Sequence, residues 1–140
     1  MTTDTILIDV DGPIATLTIN RPDTLNAIDL PAVRALNDAL DKVATDPEIR
    51  VVIFTGTGRS FVAGGDIADL NSRQGLPHYE EFAEAIHNLF RRIETLDKPT
   101  IGAVNGFALG GGTELLLALD IRILSDKSRL GLPEITLGLF

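Results

Sequence analysis

The chain is predicted to be an α/β protein built in layers around parallel strands. Three observations carry this. Val51-Val52-Ile53-Phe54 and Thr100 to Val104 are short apolar runs that are continuous rather than alternating, as strands covered on both faces read. Each is followed, past a glycine-rich stretch, by a helical pattern. A third apolar run, Ile121 to Leu124, comes after the second helix. Strand, helix, strand, helix, strand implies right-handed parallel crossovers.

The elements follow in order. Ile6, Ile8 and Val10 alternate, Asp11-Gly12 turns, and Ala15, Leu17 and Ile19 alternate with Thr16 and Thr18, which predicts a hairpin. Asn20-Arg21-Pro22-Asp23 ends it. Asp29 caps a helix that carries Val33, Leu36, Leu40 and Val43 on one face. Thr45-Asp46-Pro47 stops that helix, and a strand runs from Arg50 to Thr55. Gly56 to Gly65 reads as a glycine-rich loop, and Asp66 to Leu70 as a short helical turn. Ser72 to Pro77 is expected to be a polar, mobile link. Phe82, Ile86, Leu89, Phe90 and Ile93 form a helical stripe that Lys98-Pro99 ends. Thr100 to Val104 is a buried strand, Gly111 to Leu119 a helix, and Ile121 to Leu124 a further inner strand.

The chain has 140 residues, enough for one modest domain with a core. It shows no internal repeat, low-complexity tract or linker, so residues 1–140 read as one domain. Hydrophobic residues make up 44%, which favours folding over disorder. The net charge of −8 argues against nucleic acid or an anionic membrane surface as partner. With no cysteine, disulfides and thiolate metal sites are excluded. Met1-Thr2-Thr3-Asp4 lacks the basic-then-apolar layout of a secretory signal, and no apolar run is long enough to span a bilayer. A soluble, cytoplasmic protein is the expectation.

The chemistry concentrates in four places. Ala103 to Leu115 reads as strand, glycine-rich turn and helix start. Gly110-Gly111-Gly112 lets backbone approach a ligand, and a helix N-terminus presents unpaired amides to an anion or oxyanion. The same run is also what close helix–strand packing requires. Ser60 to Ile67 follows the first inner strand, and ligands in α/β sheets bind beyond the carboxyl ends of strands. There Gly65 reads as an amide donor, or the loop as a tight turn with Asp66 capping a helix. Two such loops are more telling together, because two convergent N–H groups are what an oxyanion hole needs. Glu114 reads either as a first-turn acid favoured by the helix dipole or as a cleft acid. Glu134, in Leu132-Pro133-Glu134-Ile135, reads either as a surface-loop acid or as its partner in acid–base work.

Other residues carry weaker signals. His78 and His87 lack ligands at metal-binding spacing and read as surface or helix residues. Arg91-Arg92 reads as a solvated helix face. Arg59 and Lys98 read as solvent-exposed cations with a possible phosphate role. Gly56-Thr57-Gly58 lacks the third glycine of a dinucleotide fingerprint, and there is no phosphate-binding GxxxxGK[ST] loop.

In this order, Asn20-Arg21-Pro22 through Leu25-Asn26-Ala27, Ser60 to Ile67, Asn105-Gly106 through Glu114-Leu115, and Pro133-Glu134 resemble the enoyl-CoA hydratase/isomerase family, also called the crotonase superfamily. The resemblance runs along nearly the whole chain. It implies a spiral core of repeated ββα units and an acyl-CoA thioester as substrate. It also implies a thioester oxygen held by the amides matching Gly65 and Gly111. The positions matching Glu114 and Glu134 flank the reacting carbons. Glu114 would activate the water that attacks C3, and Glu134 would deliver the proton to C2. Asp23-Thr24-Leu25-Asn26-Ala27 matches the stretch along whose backbone coenzyme A lies, with Leu25 and Ala27 as contacts, Ala63 matches an adenine contact, and Gly64, Asp66 and Ile67 the loop beside the thioester. No metal or redox cofactor is implied. The family's assembly is a homotrimer, or a hexamer made from two trimers.

The sequence departs from the family pattern in three ways. Gly65 stands where alanine is frequent, and Thr113 where cysteine or another small residue is common. The family's chain also continues past this point into C-terminal helices that close the acyl pocket and build the trimer. Those helices are absent here, so Pro133 to Phe140 is expected to be an interrupted element, with Leu137, Leu139 and Phe140 left exposed. The expected activity of a complete protein is reversible syn hydration of a 2-trans-enoyl-CoA. The alternatives are an enoyl-CoA isomerase or another acyl-CoA dehydratase, and a non-catalytic acyl-CoA-binding or assembly fragment.

Overall fold

The computed structural model describes residues 4–72 and 75–137. A hairpin of β1 (Ile6–Asp11) and β2 (Ile14–Ile19) opens the chain. After a 3-10 turn at Pro22–Thr24, Asp29 caps α1 (Leu30–Thr45) by accepting from the Ala32 amide at 2.8 Å. β3 (Val51–Gly56) and β4 (Ser60–Val62) lead into α2 (Ile67–Ser72) and α3 (Leu76–Glu94). β5 (Thr100–Val104) and β6 (Phe107–Leu109) lead into α4 (Gly111–Ala118). β7 (Ile121–Leu124), β8 (Arg129–Gly131) and a 3-10 turn at Pro133–Leu137 close the described part.

The strands sort into two sheets. The larger has the order β1-β2-β3-β5-β7, and the smaller β4-β6-β8. Only β1 and β2 pair antiparallel; every other pair is parallel. Each successive pair, β3-β4, β5-β6 and β7-β8, gives one strand to each sheet. That is the repeated ββα spiral the resemblance implied. The parallel α/β prediction holds.

The core lies between the larger sheet and the helices. Ala15, Leu17 and Ile19 point inward from β2, with Val52 and Phe54 from β3. They meet Val33, Leu36, Leu40 and Val43 of α1 and Leu89 and Ile93 of α3, all buried. The apolar stripes read along both helices are therefore core. α4 packs so close to β5 that a Cβ at Gly102 would lie 2.8 Å from Leu116 Cδ2.

Several expectations are corrected. The loop at 56–65 contains β4, and two more three-residue strands, β6 and β8, complete a second sheet that the apolar pattern did not announce. β3 is fully buried on one face only, since Val51, Ile53 and Thr55 keep partial exposure. Among the described residues β7 is last in the order of its sheet rather than inner, with Ile121 and Ile123 50% and 61% exposed. Leu76 and Pro77 already belong to α3 rather than to a link, and Ser72 ends α2. His78 is buried, while His87 is exposed. Arg92 does not merely face solvent: it donates to the Asn37 side chain at 3.0 Å and pairs with Asp41, tying α3 to α1. Lys98 donates to the carbonyls of Val43 (2.6 Å) and Asp46 (2.7 Å), closing the C-terminus of α1, so it is no phosphate contact. Leu139 and Phe140, expected to be exposed, lie outside the described residues, and of Leu137 only the backbone is described.

Candidate active site

The site is built on the smaller sheet. β4 and β6 run parallel, so the loops that follow them leave the same edge. One loop is 63–66 and the other 110–111. Their approach is close: a Cβ at Gly111 would stand 3.8 Å from the Gly64 carbonyl carbon and 3.9 Å from Gly65 N. Neither the Gly65 nor the Gly111 N–H donates to a protein acceptor among the described residues.

The three glycines of the second loop serve three purposes. Gly110 has φ +52°, a backbone region that side chains resist. Gly111 opens α4 and leaves its amide unpaired, as the first residue of a helix does. Gly112 lies flush against the Val62 carbonyl, so a side chain there has no room. Close packing thus falls at Gly112, while Gly111 keeps an amide with no acceptor among the described residues.

The first loop is held from behind. The Ile28 amide donates to Gly64 O (2.8 Å), the Asp66 amide to Ile28 O (2.9 Å), and the Ala63 amide to Leu25 O (3.1 Å). Arg21 binds Asp29 and Asp66 at 3.1 Å each and also donates to the Ala27 carbonyl. Asp66 accepts from the Asp69 amide (3.1 Å), which makes it the cap of α2. Burial alone would raise Asp66, but the Asp69 amide and the Arg21 guanidinium outweigh it. Its carboxyl therefore lies below the usual carboxylate range.

Two asparagines fix the turn between β3 and β4. Asn26, wholly buried, donates to Thr57 O (3.0 Å) and Ser60 O (2.8 Å) and accepts from the Arg21 amide (2.8 Å). Asn105 donates to Gly58 O (2.8 Å) and Ser60 O (3.0 Å) and accepts from the Gly56 amide (3.2 Å). The two side chains grip one turn from opposite sides. Leu25 and Asn26 take left-handed backbone (φ 55° and 59°), a conformation asparagine tolerates better than leucine.

Between the loops lies a cavity of about 250 Å³. Its floor is Ala63, Gly64, Gly65, Gly110 and Gly111. Ile67 and Leu70 of α2, Phe82 and Ile86 of α3, and Leu109 supply apolar walls. Two acids complete it: Glu114, in the first turn of α4 and exposed toward the opening, and Glu134, half-buried in the 3-10 turn after Pro133. The Phe82 ring stands directly over Gly65, 3.6 Å from where a Cβ would be, so alanine fits at this position as well as glycine does.

Most of the residues singled out in the sequence meet in this cavity: Gly65, Gly111, Glu114, Glu134, Ala63, Gly64 and Ile67 all line it. Leu25, Ala27 and Asp66 do not. The amides of Leu25 and Ala27 donate to Pro22 O and Thr24 O, and their carbonyls accept from Ala63 and Arg21. These residues buttress the loop. Arg59 is exposed and outside the cavity. Sequence reasoning gave no role to the side chains of Arg21 and Asn105, placed Asn26 only in the stretch matched to coenzyme A, and read Phe82 and Ile86 only as part of a helical stripe. The polar trio lay inside the quoted motifs, which was the available signal. Among the described residues no three His, Cys, Asp or Glu side chains stand together as a metal site. No helix there is long and apolar enough to cross a membrane.

A family model described as enoyl-CoA hydratase/isomerase matches residues 9–140. The chain belongs to the enoyl-CoA hydratase/isomerase family. It is 40% identical over 140 residues to a short-chain-enoyl-CoA hydratase of Clostridium acetobutylicum, covering 99% of this chain and 53% of that protein. It is equally similar, at 40% over 140 residues, to a crotonyl-CoA hydratase of Syntrophomonas wolfei, covering 54% of that protein. The crystal structure of an enoyl-CoA hydratase from Bacillus anthracis superposes with a TM-score of 0.92 at 34% identity, over 96% of this chain and 53% of that one. The chain thus spans about half the length of the curated relatives it matches. As a member of the enoyl-CoA hydratase/isomerase family, it carries the loops and acids of the cavity within that shared half.

Proposed function

We propose that the complete protein is an enoyl-CoA hydratase, adding water reversibly and syn across the double bond of a 2-trans-enoyl-CoA. The observation that carries the reading is the meeting, in one apolar cavity, of two unpaired glycine amides and two glutamates. The thioester oxygen would accept from Gly65 and Gly111. Each such donor is worth about 3–4 kcal/mol to an enolate-like transition state. Glu114 takes a proton from water as the oxygen bonds to C3, and Glu134 gives a proton to C2. The product gains one water, and the glutamates exchange roles in the reverse direction. Retention of both acids favours hydration over an isomerisation that needs only one proton shuttle.

The names of the similar hydratases favour a short acyl chain. The reading calls for no cofactor beyond the coenzyme A that the substrate carries. A cytoplasmic location and assembly as a homotrimer or hexamer belong to the same reading. The test is the ultraviolet absorbance of crotonyl-CoA mixed with the purified protein. Loss of the conjugated enoyl-thioester band, abolished by Glu134→Gln, is the expected result. A band that persists at high protein concentration would sink the hydratase reading.

A further inference from the structure

We infer that the hydroxyl of Thr113 is a positioning group that sets where Glu134 stands relative to Glu114. The inference rests on the hydratase reading above. Thr113 sits in the first turn of α4, immediately before Glu114. Its Oγ1 lies 2.7 Å from Ala108 O, 2.9 Å from Gly131 O and 3.2 Å from Gly131 N. A hydroxyl has one proton to give and lone pairs to accept with. The Gly131 amide therefore donates to Oγ1, and Oγ1 donates onward to a carbonyl. Of the two carbonyls, Ala108 O is the nearer.

One side chain thus joins three pieces of backbone: the middle of β6, the first turn of α4 and the last residue of β8. Gly131 is three residues from Glu134, and one of the two between is Pro133, whose ring fixes its own φ. There is little slack between the anchor and the carboxylate. The same threonine is covalently next to Glu114. The spacing of the two acids across the cavity is consequently held by this hydroxyl rather than by direct contact between them. A displacement of about 1 Å in such a group costs on the order of 100-fold in rate.

The test compares Thr113→Val, Thr113→Ser and Thr113→Ala in the purified protein. Turnover is read on crotonyl-CoA, and affinity on butyryl-CoA, which is saturated and cannot be hydrated. Valine keeps the shape and removes the hydroxyl. The expected result is a butyryl-CoA Kd within about twofold of wild type with kcat down about 10- to 100-fold, and recovery of most of that loss with serine. If the valine variant does not fold, the serine and alanine variants, which differ by the hydroxyl alone, give the same comparison. Unchanged kcat in valine or alanine, or equal losses in serine and alanine, would overturn the inference while leaving the hydratase reading intact. A wild-type protein without hydration would overturn that reading first, and this inference with it.

Discussion

The carboxylate of Glu134 lies against the α-carbon of Gly110, in the space a methyl group would occupy. The proton donor of the proposed reaction is therefore seated on a glycine that also has left-handed backbone. Gly110→Ala is expected to lower stability by about 1–3 kcal/mol through backbone strain. By displacing Glu134 it should also lower kcat by about 100-fold or more. Urea denaturation and steady-state kinetics on one preparation separate the two effects; full activity at reduced stability would contradict the seating.

Glu114→Gln and Glu134→Gln are both expected to reduce hydration by about 100- to 10,000-fold, the usual contribution of a positioned acid or base. Glutamine keeps the shape and removes the proton transfer. If Glu114→Gln retained near-normal hydration, the water-activating role given to Glu114 would fail. If instead movement of the double bond from C3 to C2 survived Glu114→Gln and was lost in Glu134→Gln, a one-glutamate isomerase would become the better reading.

The Arg21–Asp66 pair predicts an acid limit to stability. Asp66 is held below its ordinary range in the folded chain, so it binds a proton less readily there than in the unfolded chain. Its contribution is present above the unfolded value of about 3.9 and is lost as pH falls through the lower folded value. Melting temperatures of wild type and Asp66→Asn should therefore differ most near neutrality and converge toward strongly acidic pH. A constant gap across that range would show that the charge of Asp66 is not what matters.

Asn26→Ala removes three hydrogen bonds from a wholly buried side chain and strands the Thr57 carbonyl and the Arg21 amide, while the Ser60 carbonyl keeps Asn105. The expected loss is about 2–4 kcal/mol, because buried polar groups left without partners cost more than the bonds returned. Chemical denaturation measures it directly. A loss below about 0.5 kcal/mol would mean that water replaces the side chain.

The long elements were legible because each has its own period or cap: Asp29 before α1, the stripe from Phe82 to Ile93, the apolar runs of β3 and β5. The second sheet was not, because three residues such as Arg129-Leu130-Gly131 carry no period, and they pair only through neighbours distant in sequence. The apolar content of Ile121 to Leu124 shows what could be covered, not what is, so β7 read as inner although it comes last in its sheet among the described residues. Both glutamates and both amide glycines were legible as types. The supporting hydrogen bonds of Arg21, Asn26, Asn105 and Thr113 were not, since each reaches a backbone group that only the finished fold brings near. Lys98 shows the same limit: a lone cation gives no hint that two helix-end carbonyls await it.

The Ser60 carbonyl accepts from Asn26, 34 residues before it, and from Asn105, 45 residues after it. Neither bond can form until two long segments have closed, and the entropy of closing them is overcome only by contacts made elsewhere. The order of events in folding follows from this. The hairpin and α1 can form from local contacts, whereas the turn between β3 and β4 waits for β5 to arrive. Hydrogen exchange during refolding should find protection at Thr18 and Leu36 before it appears at Ala63 and Asp66, whose amides donate to Leu25 O and Ile28 O. The loops that line the cavity would thus be the last part of the chain to become native, and the first to be lost.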